Sequence, residues 1–412
     1  MSKIEELIKR HCPDGVNFYP LGEVCTVVRG ASPRPIKNFI TEEKDGVNWI
    51  KIGDVAVGSK YITSCAERIT KEGAKKSRFV KKGDFILSNS MSFGRPYILE
   101  INGCIHDGWL AISDFEDKML ADYLYYVLVS GNIQREMEHR ASFGGAVQNL
   151  NADIVRALEI PVPPIEVQEE IVRILDKFTE LEAELQAELN VRKKQYEYYR
   201  DLLFSFDTDT RFGRIGDIAV VTKLAGFEFT EYVNYVEYGK IIALRGLNVK
   251  KGKLDLTDVK YIDGSELSKL TRSKLKIGDM LFTYVGTVGE VALIDEDNKF
   301  YLAPNVAMIR LITDDVIPEF MMYYFQTNQF WNSQINKLLQ SSSMKNIPME
   351  KIRKFMIPIP SIVEQKHIVE IIKKFDEIAT DVKNGLPAEI EARHKQYEYY
   401  RDKLLTFERK VV

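Results

Sequence analysis

The octapeptide KQYEYYRD occurs twice, at residues 194–201 and again at 395–402. An identical octapeptide recurring this far along a chain of 412 residues marks a tandem repeat, and its period is that of a domain rather than of a solenoid. Each copy reads as a large variable block closed by a long helix. Whatever the chain binds is therefore expected to meet two related, non-identical units.

The repeat extends beyond the octapeptide. EIPVPPIEVQEEIVRILDKF (159–178) matches MIPIPSIVEQKHIVEIIKKF (356–375), and four extra residues enter the second copy near Asn384, Gly385, Leu386 and Pro387. Pro161, Pro163 and Pro164 in one copy, and Pro358 and Pro360 in the other, force extended backbone before each helix. A helical period follows. Ile171, Ile174, Phe178, Leu181, Leu185 and Leu189 lead into Tyr196, Tyr199, Leu203 and Phe206. Ile368, Ile371, Phe375, Ile378 and Val382 lead into Ile390, Tyr397, Tyr400, Leu404 and Phe407. These are heptad seams with a stutter, and Gly385 with Pro387 is expected to break the second helix there. A narrow apolar seam cannot be buried by one helix alone. The simplest solution is an antiparallel coiled coil of the two helices, and docking of each helix on its own block is the alternative.

The blocks align more faintly. VKKGDFILSNSMSFGRP (80–96) matches LKIGDMLFTYVGTVGEV (275–291), as a turn, a buried strand, a glycine loop and another strand. GEVCTVVRG (22–30) resembles GDIAVVTKL (216–224), and WIKIGDV (49–55) resembles IALRGLN (242–248). Short amphipathic helices are expected at 121–129 and 319–326, each with a tyrosine pair, Tyr125 with Tyr126 and Tyr323 with Tyr324. Strands and helices mixed without regular βαβ alternation predict an α+β fold used twice. The expected divisions are a first globular domain over 1–158, including an N-terminal segment 1–21, a helix over 159–206, a second domain over 207–355 and a C-terminal helix over 356–412.

Several chemistries find no support. No GxxxxGK[ST] phosphate loop is present, since GLNVKKGKL (246–254) has one spacer too many and ends in leucine. Neither a GxGxxG ahead of a helix nor an amino-methyltransferase motif occurs. The five histidines lack metal-ligand spacing, and the four cysteines form no CxxC pair. His106 beside Asp107 is an adjacent acid–base pair and reads as structural. The chain is thus expected to be no catalyst. No apolar run reaches the ~20 residues that span a bilayer, and the N-terminus has no signal-peptide core. These features, with the cysteine usage, predict a cytoplasmic protein without a membrane partner.

Charge is uneven beneath a net −3. The stretch 159–206 carries 6 Lys+Arg against 11 Asp+Glu, whereas 22–156 and 216–356 each carry 18 against 17. The blocks therefore hold the basic clusters that nucleic acid requires. Candidates are Lys75, Lys76 and Arg78 in the first block, and Arg245, Lys269, Arg272 and Lys274 in the second. Arg34, Lys37 and Asn38 of the proline-rich loop offer donors suited to base edges. Ser92 and Arg95, with Tyr284 and Thr287, are expected to be exposed on the glycine loops, which could approach bases or be ordinary turns. Gln148 and Lys345 precede the proline segments, where helix capping competes as a role. A solvated surface is the alternative throughout. Tyr196, Tyr199, Arg200, Tyr397, Tyr400 and Arg401 of the octapeptides suit either a partner interface or the intramolecular seam.

In this order and at this period, HCPDGVNFYPLGEV (11–24), the two proline-led helix starts, the octapeptides and the polar loops resemble the specificity subunit of type I restriction–modification systems. The resemblance covers essentially the whole chain. It departs from the family at Val167, where the Glu-Gln signature seen at Glu364 and Gln365 has valine before Gln168. The resemblance implies that each block reads one half of a split site in double-stranded DNA. The helices would set the spacing and bind two methyltransferase subunits. Motor–nuclease subunits would join through that complex, and S-adenosylmethionine, ATP and magnesium would belong to these partners. The tetrapeptide run FTEL-EAEL-QAEL (178–189) resembles family repeats that alter the gap between half-sites. The rival reading is a two-domain coiled-coil scaffold that does not bind DNA. A fused restriction–methylation enzyme fails for lack of methyltransferase motifs.

Overall fold

A computed structural model describes residues 3–55, 58–89, 93–142, 150–207, 209–339, 346–380 and 385–410. The chain forms two compact units, residues 1–186 with 390–412 and residues 187–389. Both are α+β, and the long helix Ile165–Leu203 contributes residues to each.

The first unit holds two five-stranded sheets. One runs in the spatial order Thr26–Arg29, Trp109–Ser113, Phe85–Ser88, Pro96–Leu99, Tyr61–Ile62. The other runs Ile40–Thr41, Glu67–Ile69, Val47–Ile50, Gly103–Ile105, Arg78–Val80. The second unit repeats the scheme with fewer strands. Ala219–Lys223, Val306–Leu311, Met280–Thr283 and Val291–Leu293 form one sheet, and Lys260–Tyr261, Ile242–Leu244 and Phe300–Leu302 the other. In both units the second sheet contains one parallel pair, Val47–Ile50 with Gly103–Ile105 and Ile242–Leu244 with Phe300–Leu302. The aligned KGD and IGD segments make the same turn. Gly83 and Gly278 take φ of +95° and +86°, a region that a Cβ disfavours. The aspartate after each accepts a backbone N–H at 2.7 Å, Asp84 from Lys81 and Asp279 from Lys276. The turn and the two strands expected from the sequence are present in both units, and the strands pair, Phe85–Ser88 with Pro96–Leu99 and Met280–Thr283 with Val291–Leu293.

Each helix docks through its proline-led start. Extended Glu159–Pro161 pairs with Phe18–Pro20, and Met356–Pro358 pairs with Phe212–Arg214. One turn later a glutamine is fully buried in each unit. Gln168 Oε1 accepts the Leu120 N–H at 2.9 Å, and its Nε2 donates to Lys118 and Pro163 carbonyls at 3.0 and 2.8 Å. Gln365 repeats this with Ile317 at 2.9 Å and with the Asp315 and Pro360 carbonyls at 2.7 and 2.9 Å. The clamp uses the glutamine alone, which explains how Val167, buried in the core, replaces glutamate without consequence for it. The clamp also fixes the start of the short helices Ala121–Val129 and Pro318–Tyr324. Matching Leu120 to Ile317 places Tyr126 opposite Tyr323, one residue out of step with the tyrosine pairing inferred from the sequence.

The helices bury two stripes rather than one seam. Val167, Ile171 and Leu175 pack into the first block, whereas Phe178 stacks on Tyr400 at 5.5 Å. In the second unit Ile368 and Ile372 enter the core, and Phe375 stacks on Tyr199 at 5.4 Å. Partners run in opposite directions, since Glu182 meets His394 as Phe178 meets Tyr400. Coiled-coil pairing and docking on the adjacent block therefore coexist. The second helix is described as two segments, Ile362–Thr380 and Leu386–Leu404, with Gly385 outside both and Pro387 in the first turn of the latter, while residues 381–384 lie outside the described residues. The chain end returns to the N-terminal segment, where Val16 bridges Arg409 in parallel and Arg409 pairs with Glu159.

Truncating Gln168 strands one buried N–H and two carbonyls. Gln168→Ala is expected to destabilise the first unit by roughly 2–4 kcal/mol. Hydrogen exchange should speed up at Leu120 and leave Ile317 protected.

Candidate nucleic-acid interface

In the first block the edge strand Thr26–Arg29 leads into the proline-rich loop, which runs to the second sheet at Ile40–Thr41. Residues distant in sequence converge on this loop. Ser77 Oγ donates to the Ala31 carbonyl at 2.6 Å, and Arg78 Nε to the Arg29 carbonyl at 3.4 Å. Ser32 Oγ donates to Asp107 Oδ1 at 2.6 Å, and Arg34 Nη2 to Asp107 Oδ2 at 3.3 Å. Lys76 Nζ lies 4.7 Å from the Phe39 ring, and Lys75 is exposed on the same short helix, Lys71–Lys75. Arg34, Lys37, Asn38, Lys75, Lys76 and Arg78 thus gather around one loop, all with exposed side chains. Arg95 lies apart, with its guanidinium 5.8 Å from the Tyr97 ring. Ser92, Gln148 and Lys345 fall outside the described residues.

Behind the loop is a pocket that the sequence did not disclose. Arg34, Lys37, Trp49, Lys51, His106 and Asp107 are among its lining residues. His106 Nδ1 accepts the Gly108 N–H at 2.8 Å, so the neutral ring carries its proton on Nε2. The ring lies between Trp49 and Trp109, with centroids 6.3 and 6.0 Å away. Burial lowers the His106 pKa and outweighs the attraction of Asp107. The Ser32 hydroxyl and the Arg34 charge hold the Asp107 carboxyl below its ordinary range.

The second block differs at the same place. After Ala219–Lys223 the chain forms the helix Gly226–Tyr232, which Arg272 anchors through Glu228 at 2.6 Å. Phe227 and Tyr238 are 66% and 83% exposed here, an aromatic surface where the first block is basic. Arg245 is spent on the turn at Asp258, 2.8 Å away. Lys269 is exposed on the turn Leu267–Lys269, and the Lys274 carbonyl accepts from Arg310 at 3.1 Å. Thr287 is exposed, with its carbonyl accepting from Thr283 Oγ1 at 2.5 Å. Tyr284, read from the sequence as an exposed loop aromatic, is instead buried. It continues the core strand Met280–Thr283, and Lys223 lies 5.5 Å from its ring.

The octapeptides turn largely inward, in the same way twice. The Arg200 and Arg401 guanidinium groups lie 5.3 and 5.6 Å from the rings of Tyr196 and Tyr397. Asp201 and Asp402 accept the first N–H of the next block helix, from Asn328 at 2.9 Å and Gly131 at 3.1 Å. Tyr397, Arg200 and Arg401 are buried, and Tyr196 is half-buried. Tyr199 and Tyr400 keep exposed edges, while Tyr198 and Tyr399 point outward.

Two copies of one fold, each joined to a helix through the same side chains and differing at one surface, match the family suggested by the sequence. The type I restriction modification DNA specificity domain matches twice, over residues 13–191 and 209–392. The chain belongs to the type I restriction–modification specificity subunits. It is 32% identical over 304 residues to the Escherichia coli type I restriction enzyme EcoR124I/EcoR124II specificity subunit, covering 71% of this chain and 72% of that one. A putative specificity subunit of Haemophilus influenzae, S.HindORF215P, is 26% identical over 95% of this chain and 96% of its own. Among solved structures, a chain from a study of type I R-M assembly and conformational transition superposes with a TM-score of 0.66. At 16% identity, covering 95% of this chain and 98% of the other, it shows the same fold. This specificity subunit is accordingly a DNA sequence-recognition component, non-catalytic and without catalytic cofactors of its own. Membership in the family disfavours the scaffold reading. Among the described residues no helix is long and apolar enough to cross a membrane.

The His106 geometry makes a solution prediction. Nitrogen-detected NMR should show the Nε2–H tautomer, with the ring titrating below its ordinary 6.5. Below about pH 6.5 the unfolded chain binds this proton first, so the site's contribution to stability is present at neutral pH and is lost as pH falls.

Proposed function

We propose that each block reads one half of a bipartite, asymmetric DNA site. The observation that carries this reading is the pair of chemically different surfaces at the same place in two copies of one fold. The first is basic around Arg34, Lys37 and Lys76, and the second is aromatic at Phe227 and Tyr238. Basic groups neutralise phosphates and fix register, while side chains at base edges specify sequence. Different edge chemistry on a shared frame suits two unlike half-sites.

Two methyltransferase subunits dock on the outward faces of the repeated octapeptides, one at each. Tyr198 and Tyr399 are 65% and 61% exposed, whereas the tyrosine, arginine and aspartate at 196, 200 and 201, and at 397, 401 and 402, are engaged inside their units. Motor–nuclease subunits join through that complex in the cytoplasm. S-adenosylmethionine, ATP and magnesium are carried by the partners. The exposed edges of Tyr199 and Tyr400 complete each docking face, and Arg200 and Arg401 support it from behind.

The helix Ile165–Leu203 sets the unread spacer. Four residues of helix correspond to about 6 Å, which is about two base-pair rises. Methylation sequencing in a methylation-free host expressing the partner methyltransferase should reveal a split motif only when this chain is present. Deleting residues 182–185 should shorten the unread gap and preserve both half-sites, and altered half-site bases would refute the spacer role. Tyr198→Ala combined with Tyr399→Ala should reduce co-purifying methyltransferase at least tenfold, the effect of about 1.4 kcal/mol. Thermal stability should be unchanged, because neither ring is buried.

A further inference from the structure

We infer that the pocket behind the proline-rich loop reads a guanine, with His106 Nε2–H and the Arg34 guanidinium as its donors. The inference rests on the proposed reading of the first block as a half-site reader, and it names the base chemistry at one position.

The pocket is rich in donors, and its Asp107 Oδ1 and Glu67 acceptors stay engaged when Arg34 turns to a base. Asp107 takes hydrogen bonds from Ser32 and Arg34, and Glu67 pairs with Lys51 at 2.5 Å. His106 turns Nδ1 back onto the Gly108 N–H, which leaves Nε2–H on the opposite edge of a ring that lines the pocket. The flanking tryptophans limit how far that ring can swing. Arg34 has an 82% exposed side chain, and its contact to Asp107 is long at 3.3 Å, so its guanidinium is available for exchange. A guanine presents two adjacent acceptors, N7 and O6, and no donor in the major groove. Adenine and cytosine each bring an amino group that would face these donors, and thymine brings one acceptor beside a methyl. Neutrality of His106, favoured by its burial, preserves a single directed donor rather than a diffuse charge.

The second block lacks this device. Strand Phe300–Leu302 occupies the place of Gly103–Ile105, so Ala303 stands where the first block has His106. A donor present in one copy of the fold and absent from the other is expected if the blocks read different bases.

The test uses the full chain with its methyltransferase partner in a methylation-free host, read by single-molecule methylation sequencing. The wild-type protein should require guanine at one position of one half-site. His106→Ala and Arg34→Ala should each relax that position, lowering discrimination roughly 5- to 100-fold, with the other half-site unchanged. An unaltered motif, or an equal loss at every position in soluble protein, would overturn the inference. Should His106→Ala fail to accumulate, Arg34→Ala decides alone, because its exposed side chain is dispensable for folding. Absence of any split motif from the wild type would strike down the half-site reading beneath it.

Discussion

One buried side-chain amide in each half of the molecule joins a variable block to its helix. Gln168 and Gln365, both fully buried, each satisfy a helix-start N–H and two carbonyls, where an unpaired polar group would be costly. Everything beyond depends on that clamp. It fixes the start of the short helix Ala121–Val129, whose Tyr126 hydroxyl reaches Asp176 on the long helix at 2.5 Å. The next helix, Gly131–Ser142, begins at the Asp402 carboxylate, and its Gln134 donates to the Gly94 carbonyl at 3.0 Å. A glycine loop of the first block is thereby tied to the helical frame through a short chain of directional bonds.

The octapeptide extends this logic. Its tyrosines, arginine and aspartate form a docking unit in which Asp201 and Asp402 each accept the first N–H of a block helix, so the two blocks meet their helices in similar ways. Such a frame tolerates change in the loop after the edge strand, because that loop carries none of the clamp's bonds. The first block fills it with prolines and basic groups, the second with a helix bearing exposed aromatics. The proposed recognition surfaces and the structural framework thus use different residues, which suits a non-catalytic recognition subunit.

Repetition made the architecture legible. The duplicated octapeptide, the proline-led helix starts and the glycine turns at Gly83 and Gly278 follow from local physics that a sequence displays directly. Roles that depend on contacts between distant segments were not visible. The clamp glutamines stood out only through the family's Glu-Gln signature, and their role stayed hidden because two of the three partners of each lie 48 to 50 residues away. Clusters of lysine and arginine were visible, but not that Arg245 is spent on Asp258 or Arg272 on Glu228. His106 read as structural because its pocket is assembled from a loop near residue 34, a strand near 50 and another near 105. Tyr284 looked exposed in a glycine loop, yet its strand carries it into the core.

Independent recognition of DNA by the two blocks on a common frame, as proposed, is tested by exchanging residues 207–355 for the corresponding block of a relative with a different motif, and mapping methylation of the hybrid. A motif with one half-site from each parent is the predicted result. A hybrid that folds and binds methyltransferase yet changes both half-sites, or neither, would contradict the account.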